Sequence, residues 1–234
     1  KNCLKYVSSL EYETDGLIFT PMILGVTQEK NGDSIKNYKY TWGQSFKWKP
    51  PEFNTIDFLI SVVKDAFNKP KIKQKIVNEN IVNYYTLKLY VGVDKNNHGM
   101  IGSQQKLLNE EFKQSNSGSV YSSNYRPEEF YPTNPADPLA HLCHVQLHLH
   151  EGKMKMFTEE NDIIEDDTIV EFRYDMNTGD KMNSWVPLRV RDDKTKEYKI
   201  KKNNFGNAYH VANSNWHSIH NPVTVNILTG VTRI

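Results

Sequence analysis

The stretch from Tyr84 to Val93 reads Tyr-Tyr-Thr-Leu-Lys-Leu-Tyr-Val-Gly-Val. Aromatic and β-branched residues dominate it, and side chains of that kind suit a pleated, half-buried surface better than a helix. Shorter runs of similar character recur at Phe53–Val63, Leu142–Leu149, Met154–Phe157, Thr168–Tyr174 and Val186–Val190. Turn-forming segments such as Asn177-Thr178-Gly179-Asp180 separate them. One segment has a clear helical period. From Asn207 to Ile219 the apolar residues fall at 208, 211, 212, 216 and 219, and Asn221-Pro222 stops the run.

These elements predict an α+β, β-rich chain. Several short strands with long decorations fit a small OB-fold barrel, here closed by the C-terminal helix. Ahead of the barrel, Leu17–Leu24 reads as a strand running into a bend, and Asn31–Ser34 as a turn. Trp42–Lys49 alternates as a strand until Pro50-Pro51 ends it, because proline cannot donate to a ladder. Pairing of these two strands places Asp15 and the nearby lysines on one sheet. Residues 64–80 read as a loop, and 94–140 as irregular with a helical piece around Gln104–Lys113. The predicted organisation is residues 1–60 as the end of one domain, 61–225 as the barrel, and 226–234 as a linker.

Composition narrows the partners. Of the 234 residues, 38% are hydrophobic and 24% charged, and the net charge is +1. A chain so nearly neutral has no global field for nucleic acid, so any such binding must come from a local patch. Lysines do cluster, at Lys69–Lys75 and Lys194–Lys202. Two cysteines, Cys3 and Cys143, are too few for a disulfide framework or a four-cysteine zinc site. No run approaches 18 apolar residues.

Three charged constellations could carry chemistry. Lys47 and Lys49 are alternate residues of one strand and share a face, with Trp48 behind them. Two ammonium groups so placed suit a phosphate whose charge grows under attack. The plainer reading is a solvated edge strand. Asp15, before Gly16 and an apolar strand, could offer a carboxylate at a strand mouth, or be a simple turn. Arg189, Arg191 and Lys194 put three cations within six residues, with Asp193 among them. They could hold phosphates, or form a charged hairpin end. A fourth group, His141, Cys143, His144, His148 and His150, resembles a metal site. Strand alternation, however, puts His144, His148 and His150 on one face and Cys143 on the other, as in an amphipathic barrel strand. Tyr84, Tyr85, Tyr90, Tyr121, Tyr125, Phe130 and Tyr131 could stack on RNA bases, although core packing accounts for most of them.

In order, Asp15-Gly16-Leu17-Ile18-Phe19, Lys47-Trp48-Lys49-Pro50 and Arg189-x-Arg191-x-Asp193-Lys194 resemble the last three motifs of covalent nucleotidyltransferases of the ligase-like superfamily. They are closest in kind to the guanylyltransferases that cap mRNA. Asn54–Phe58, Ile169–Tyr174 and Trp216–Thr224 resemble the large multifunctional capping enzymes of nucleocytoplasmic large DNA viruses, and the likeness runs through residues 10–225.

That resemblance implies a reaction in two steps. A lysine takes GMP from GTP and releases pyrophosphate, and the 5′-diphosphate end of RNA then takes the GMP, with Mg2+ or Mn2+ assisting. It implies that Lys47 and Lys49 contact the α-phosphate and that Asp15 helps place the metal. Arg189, Arg191, Asp193 and Lys194 would lie on a closing OB lid and engage the β,γ-phosphates. It further implies an upstream nucleotidyltransferase half, triphosphatase and methyltransferase modules on the same polypeptide, no membrane partner, and a viral protein in host cytoplasm or virion.

One departure is plain. The family's nucleophile motif is Lys-x-Asp-Gly, and the chain has Glu13-Thr14-Asp15-Gly16 instead. Glutamate cannot form a phosphoramidate, so the nucleophile is expected upstream of Lys1. Two alternatives remain at this level. One is an OB-type module binding RNA or protein beside a vestigial nucleotidyltransferase part, and the other is an ATP-dependent polynucleotide ligase.

Overall fold

The computed structural model describes residues 6–7, 9–12, 14–22, 45–77, 79–94 and 125–231. The predicted strand ends at 23–24 and 42–44, the turn at 31–34, the helix at 104–113, Glu13 and Tyr121 fall outside the described residues. The chain divides into two compact units. Lys1–Phe53 joins Pro222–Ile234 in the first, and Asn54–Asn221 forms the second. The sequence had suggested divisions after residues 60 and 225.

In the first unit, β1 (Leu17–Phe19) pairs antiparallel with β2 (Phe46–Trp48) in the register Leu17 to Trp48 and Ile18 to Lys47. Gly16 fits where it does because its backbone runs against Trp48, and a β-carbon there would collide with the Trp48 carbonyl. The Trp48 indole N–H donates to the Val223 carbonyl at 2.6 Å. Val223 is followed by Thr224, which caps a short helix, Val225–Leu228, through its hydroxyl. That helix occupies the start of the predicted linker.

The second unit is built from antiparallel strands. These are β3 (Thr55–Val62), β4 (Lys73–Val77), β5 (Asn80–Asp94), β6 (Tyr125–Glu129), β7 (Leu142–His150), β8 (Lys153–Phe157), β9 (Ile163–Ile164), β10 (Ile169–Tyr174) and β11 (Trp185–Val190). Their order is β11-β10-β3-β5-β7-β8-β9, and β4 and β6 also pair along the long β5. The ring nearly closes. After β8, the Glu159 N–H donates to the Pro187 carbonyl at 2.9 Å and the Glu160 N–H to that of Leu188 at 3.1 Å, stitching the turn to β11. The result is a β-rich, nearly closed antiparallel barrel, as the alternating runs predicted.

Two strands lie where the sequence suggested loop. β4 falls within 64–80 because its residues pair with the projecting half of β5, Ile76 opposite Ile81 and Lys75 opposite Val82. β6 accommodates Pro127 opposite Gly92 in a five-residue ladder.

Inward alternation fills the barrel with Ile56, Phe58, Ile60, Leu87, Val91, Cys143, Val145, Phe172 and Trp185. The α-helix Tyr209–His220 (hereafter the barrel helix) closes it with buried Ala212, Trp216 and Ile219, the spacing read from the sequence. The Trp216 ring meets Tyr174 at 4.8 Å and Phe130 at 6.0 Å, and its indole N–H donates to the Pro135 carbonyl. A second helix, Asp192–Lys201, packs on the other side of β3 and β10. There Leu59, Ile169, Tyr198 and Phe205 form a separate small core. Its sequence carries the Lys194–Lys202 cluster and has no apolar stripe. The signal for it was charge order: Asp192 and Asp193 in the first turn, Lys199 and Lys201 in the last.

Candidate phosphate site

In the first unit, Lys49 Nζ approaches Asp15 Oδ2 to 2.6 Å and Lys47 Nζ approaches the same oxygen to 3.5 Å. The two lysines therefore converge, as strand alternation requires. The Lys49 ammonium, hydrogen-bonded to the carboxylate and charged beside it, holds Asp15 below its usual 3.8, and Lys47 adds to the effect. Mg2+ is commonly held by one or two carboxylates together with substrate phosphates. Asp15 supplies one carboxylate and spends it on two ammonium groups. Among the described residues no three His, Cys, Asp or Glu side chains gather to hold a metal ion. The residues here do not by themselves make a metal site.

In the second unit the ladder does the positioning. Glu171 on β10 lies opposite Asp57 on β3 and opposite Arg189 on β11. All three point away from the barrel interior. Arg191 follows β11 at the N-cap position of helix Asp192–Lys201, and its N–H is fixed to the Ile169 carbonyl at 2.8 Å. Lys194, one turn into that helix, reaches back over β3.

The outcome is a cluster of three cations on three carboxylates. Arg191 Nη1 donates to Asp57 Oδ2 at 2.8 Å, and Lys194 Nζ closes on the same oxygen. Arg189 Nε donates to Glu171 Oε2 at 2.7 Å, and Arg191 Nη1 lies 3.8 Å from that atom. Thr55 Oγ1 donates to Glu171 Oε1 at 2.6 Å. Arg191 also touches Asp193 at 3.4 Å.

The carboxylates differ in exposure. The Asp57 side chain is 6% exposed and that of Glu171 12%, whereas that of Asp193 is 69% exposed. Burial pushes the Glu171 carboxyl up, but hydrogen bonds from Thr55 and Arg189 and the Arg189 and Arg191 charges outweigh it, so it ends below its usual 4.5. The Arg191 guanidinium holds Asp193 below its usual 3.8. The backbone behind Asp57 is pinned as well. Its N–H donates to Asn207 Oδ1 and its carbonyl accepts from the Asn207 N–H, both at 2.8 Å. Gly206 runs so close that a β-carbon would strike the Asp57 carbonyl, and its φ of 82° is one that L side chains rarely adopt.

Sequence reasoning placed Arg189, Arg191, Asp193 and Lys194 near one another but gave no role to Asp57 or Glu171. A signal existed. Each is a carboxylate inside an apolar strand, Ile56-Asp57-Phe58 and Val170-Glu171-Phe172, and a buried carboxylate needs a cationic partner.

The histidine-rich β7 follows its predicted alternation in part. Cys143, Val145 and Leu147 point inward, while Leu149, expected on the same side, is 75% exposed beyond the end of the barrel. Cys143 is fully buried, its Sγ donates to the Trp185 carbonyl at 3.3 Å, and burial pushes its thiol pKa up. His141 Nε2 lies 3.7 Å from Glu129 Oε2. Of the aromatics considered for base stacking, Phe130 and Tyr131 belong to the core, with Tyr84 buried on the outer face.

Residues 140–229, which include β7 to β11, both helices of the second unit and every residue from Arg189 to Lys194, match the family model for the mRNA capping enzyme, C-terminal domain. A probable mRNA-capping enzyme of Acanthamoeba polyphaga mimivirus is 27% identical over 225 residues. The alignment covers 94% of this chain and 16% of that relative, so the chain spans about a sixth of the relative's length. Glu171 lies within the matched residues, and Asp57 on β3 precedes them. Among the described residues no helix is long and apolar enough to cross a membrane.

Proposed function

We propose that this chain is part of a GTP:RNA guanylyltransferase, which moves GMP from GTP through a lysyl-GMP intermediate to 5′-diphosphate RNA. The observation that carries the reading is Arg191 and Lys194, inside the matched capping-enzyme domain, gathered onto one buried carboxylate oxygen. Two cations fixed on a single point present a preorganised target for an anion, with little side-chain entropy left to lose.

Lys47 and Lys49 take the α-phosphate, and Arg189, Arg191 and Lys194 take the β- and γ-phosphates of GTP. Asp57 and Glu171 stay in place and hold the cationic heads. Asp193, the exposed carboxylate, gives up its place on Arg191 to the incoming phosphate. The nucleophilic lysine comes from outside these residues, as does any triphosphatase or methyltransferase activity. The remaining partner is the RNA end itself.

The test uses the longer polypeptide that this reading requires, incubated with α-labelled GTP and a divalent metal. An acid-labile, alkali-stable protein–GMP adduct is expected. Lys47→Ala or Lys49→Ala should each slow its formation by about 10²-fold, the usual effect of deleting one charge-stabilising donor. Wild-type rates in both variants would remove the assigned role. Adduct formation from ATP in place of GTP would make the protein a ligase instead.

A further inference from the structure

The second unit carries another concentration of positive charge, away from the motif cations. On the outer face of the barrel, β4, β5, β7 and β8 lie side by side. The ladders place Lys73 opposite Tyr84, Tyr84 opposite Gln146, His148 opposite Lys155 and His150 opposite Lys153. Strand alternation adds Lys75 and His144 to the same face. Lys73, Lys153 and Lys155 form no ion pair among the described residues. Lys75 Nζ lies 5.3 Å from the centre of the Tyr84 ring and donates to Asn183 Oδ1. The carboxylates nearby are Glu151 in the β7–β8 turn, Glu159, which is spent on Arg173 at 2.7 Å, and Asp180, which caps the turn at Lys181–Asn183.

An open groove of about 490 Å3 is cut into this face between β7–β8 and β11, lined by His144, His148, Phe157, Asn161 and Asn183 together with Glu159, whose carboxylate is paired with Arg173. Among the lining rings, His148 and Phe157 lie 6.2 Å apart edge to face, and His144 lies 4.3 Å from the neighbouring Tyr84 ring. Two polar groups there lack partners. His144 Nδ1 is buried with no hydrogen bond, and the Asn161 side-chain amide makes none among the described residues. The volume falls within the roughly 300–1,000 Å3 of small-molecule sites.

We infer that this face is a track for single-stranded RNA, with one unstacked base seated in the groove. The inference rests on the capping reading for the identity of the strand. Four lysines spaced over neighbouring strands match a phosphodiester backbone, and rings with unspent polar atoms match a base and its edge. A duplex keeps its bases stacked and could not use the groove. An acidic peptide would use the lysines but not the rings.

The experiment is a titration of the 234-residue chain against a fluorescent single-stranded RNA, followed by anisotropy at several salt concentrations, with no GTP and no metal present. Binding should weaken with salt at a log–log slope of about −2 to −3, as three to four phosphate contacts at about 0.7 each require. The double substitution Lys73→Glu, Lys155→Glu should weaken binding at least tenfold and flatten that slope. Phe157→Leu should weaken it about tenfold with the slope unchanged. Asn161→Asp, which leaves the core untouched, should also weaken binding by setting a carboxylate in the groove, so the test survives if the Phe157 variant misfolds. Wild-type affinity in the double lysine variant, or in Asn161→Asp, overturns the track. So does equal binding of duplex RNA, or displacement by polyglutamate as readily as by unlabelled RNA, which would mark an acidic-protein surface. GTP is absent throughout, so loss of the protein–GMP adduct with RNA binding intact defeats the guanylyltransferase reading alone.

Discussion

Like charges placed directly opposite each other across a ladder repel, and Asp57 and Glu171 are so placed. What makes the arrangement tenable is Arg191, which lies against both, with Lys194 and Arg189 completing the set. Breaking a buried pair strands the remaining charge, at a cost of about 3–5 kcal/mol. Asp57→Ala should therefore lower the stability of the chain by about 3 kcal/mol in urea unfolding. Lys201→Ala, which removes only the exposed ion pair with Glu197, should leave the midpoint unmoved. Equal behaviour of the two variants would show that the Asp57 cluster does not hold the fold. Glu171 gives a second handle, through pH. Its folded pKa is depressed, so its contribution is present above the ordinary value of 4.5 and is lost as pH falls through the lower folded value. Glu171→Gln should melt below wild type at pH 7, and the gap should be smaller at a pH well below 4.5, since protonation of Glu171 leaves Arg189 and Arg191 facing an uncharged side chain in both proteins. A gap of the same size at both pH values would assign the effect to packing instead.

At the scale of elements, period decided what could be read in advance. The strands β5, β7, β8, β10 and β11 carry runs of apolar and β-branched residues and the barrel helix a helical apolar period, and those patterns are visible in a single sequence. β4 was hidden because it is an outer addition to β5 with most of its side chains in water, so it needs no apolar alternation. Helix Asp192–Lys201 was hidden for a related reason: it buries only Thr195 and Tyr198, and charged residues with the exposed Ile200 make up the rest. The candidate site divides in the same way. Its cations sit in a compact motif, and a motif is local, so Arg189, Arg191 and Lys194 could be picked out along the chain. Their carboxylate partners lie 134 and 18 residues away along the chain for the closest pairs, and only the register of β3, β10 and β11 brings them together. Non-local pairing of that kind leaves only an indirect trace in the sequence: a charge where an apolar strand should have none.

At the scale of the whole molecule, the second unit is an insertion. The chain leaves the first unit between Phe53 and Asn54 and returns between Asn221 and Pro222. Both ends of the insertion are tied to one place, for the Asn215 side chain in the barrel helix donates to the Thr55 carbonyl at the start of β3 at 2.8 Å. Insertions tolerate this when their ends lie close and their core is complete. The core here is complete within Asn54–Asn221: the barrel interior, its closing helix and the outer helix all draw their buried residues from that span. Residues 54–221 should therefore fold alone and unfold in one cooperative transition, with far-UV dichroism and the fluorescence of the buried Trp185 and Trp216 reporting the same midpoint. Arg189, Arg191, Lys194, Asp57 and Glu171 all belong to this span, so the acid limb assigned to Glu171 should survive the excision, whereas any effect of Asp15 should vanish with the first unit. Separate midpoints for the two probes, or no cooperative transition at all, would mean that the barrel depends on the segments flanking it and that the insertion is not an independent unit.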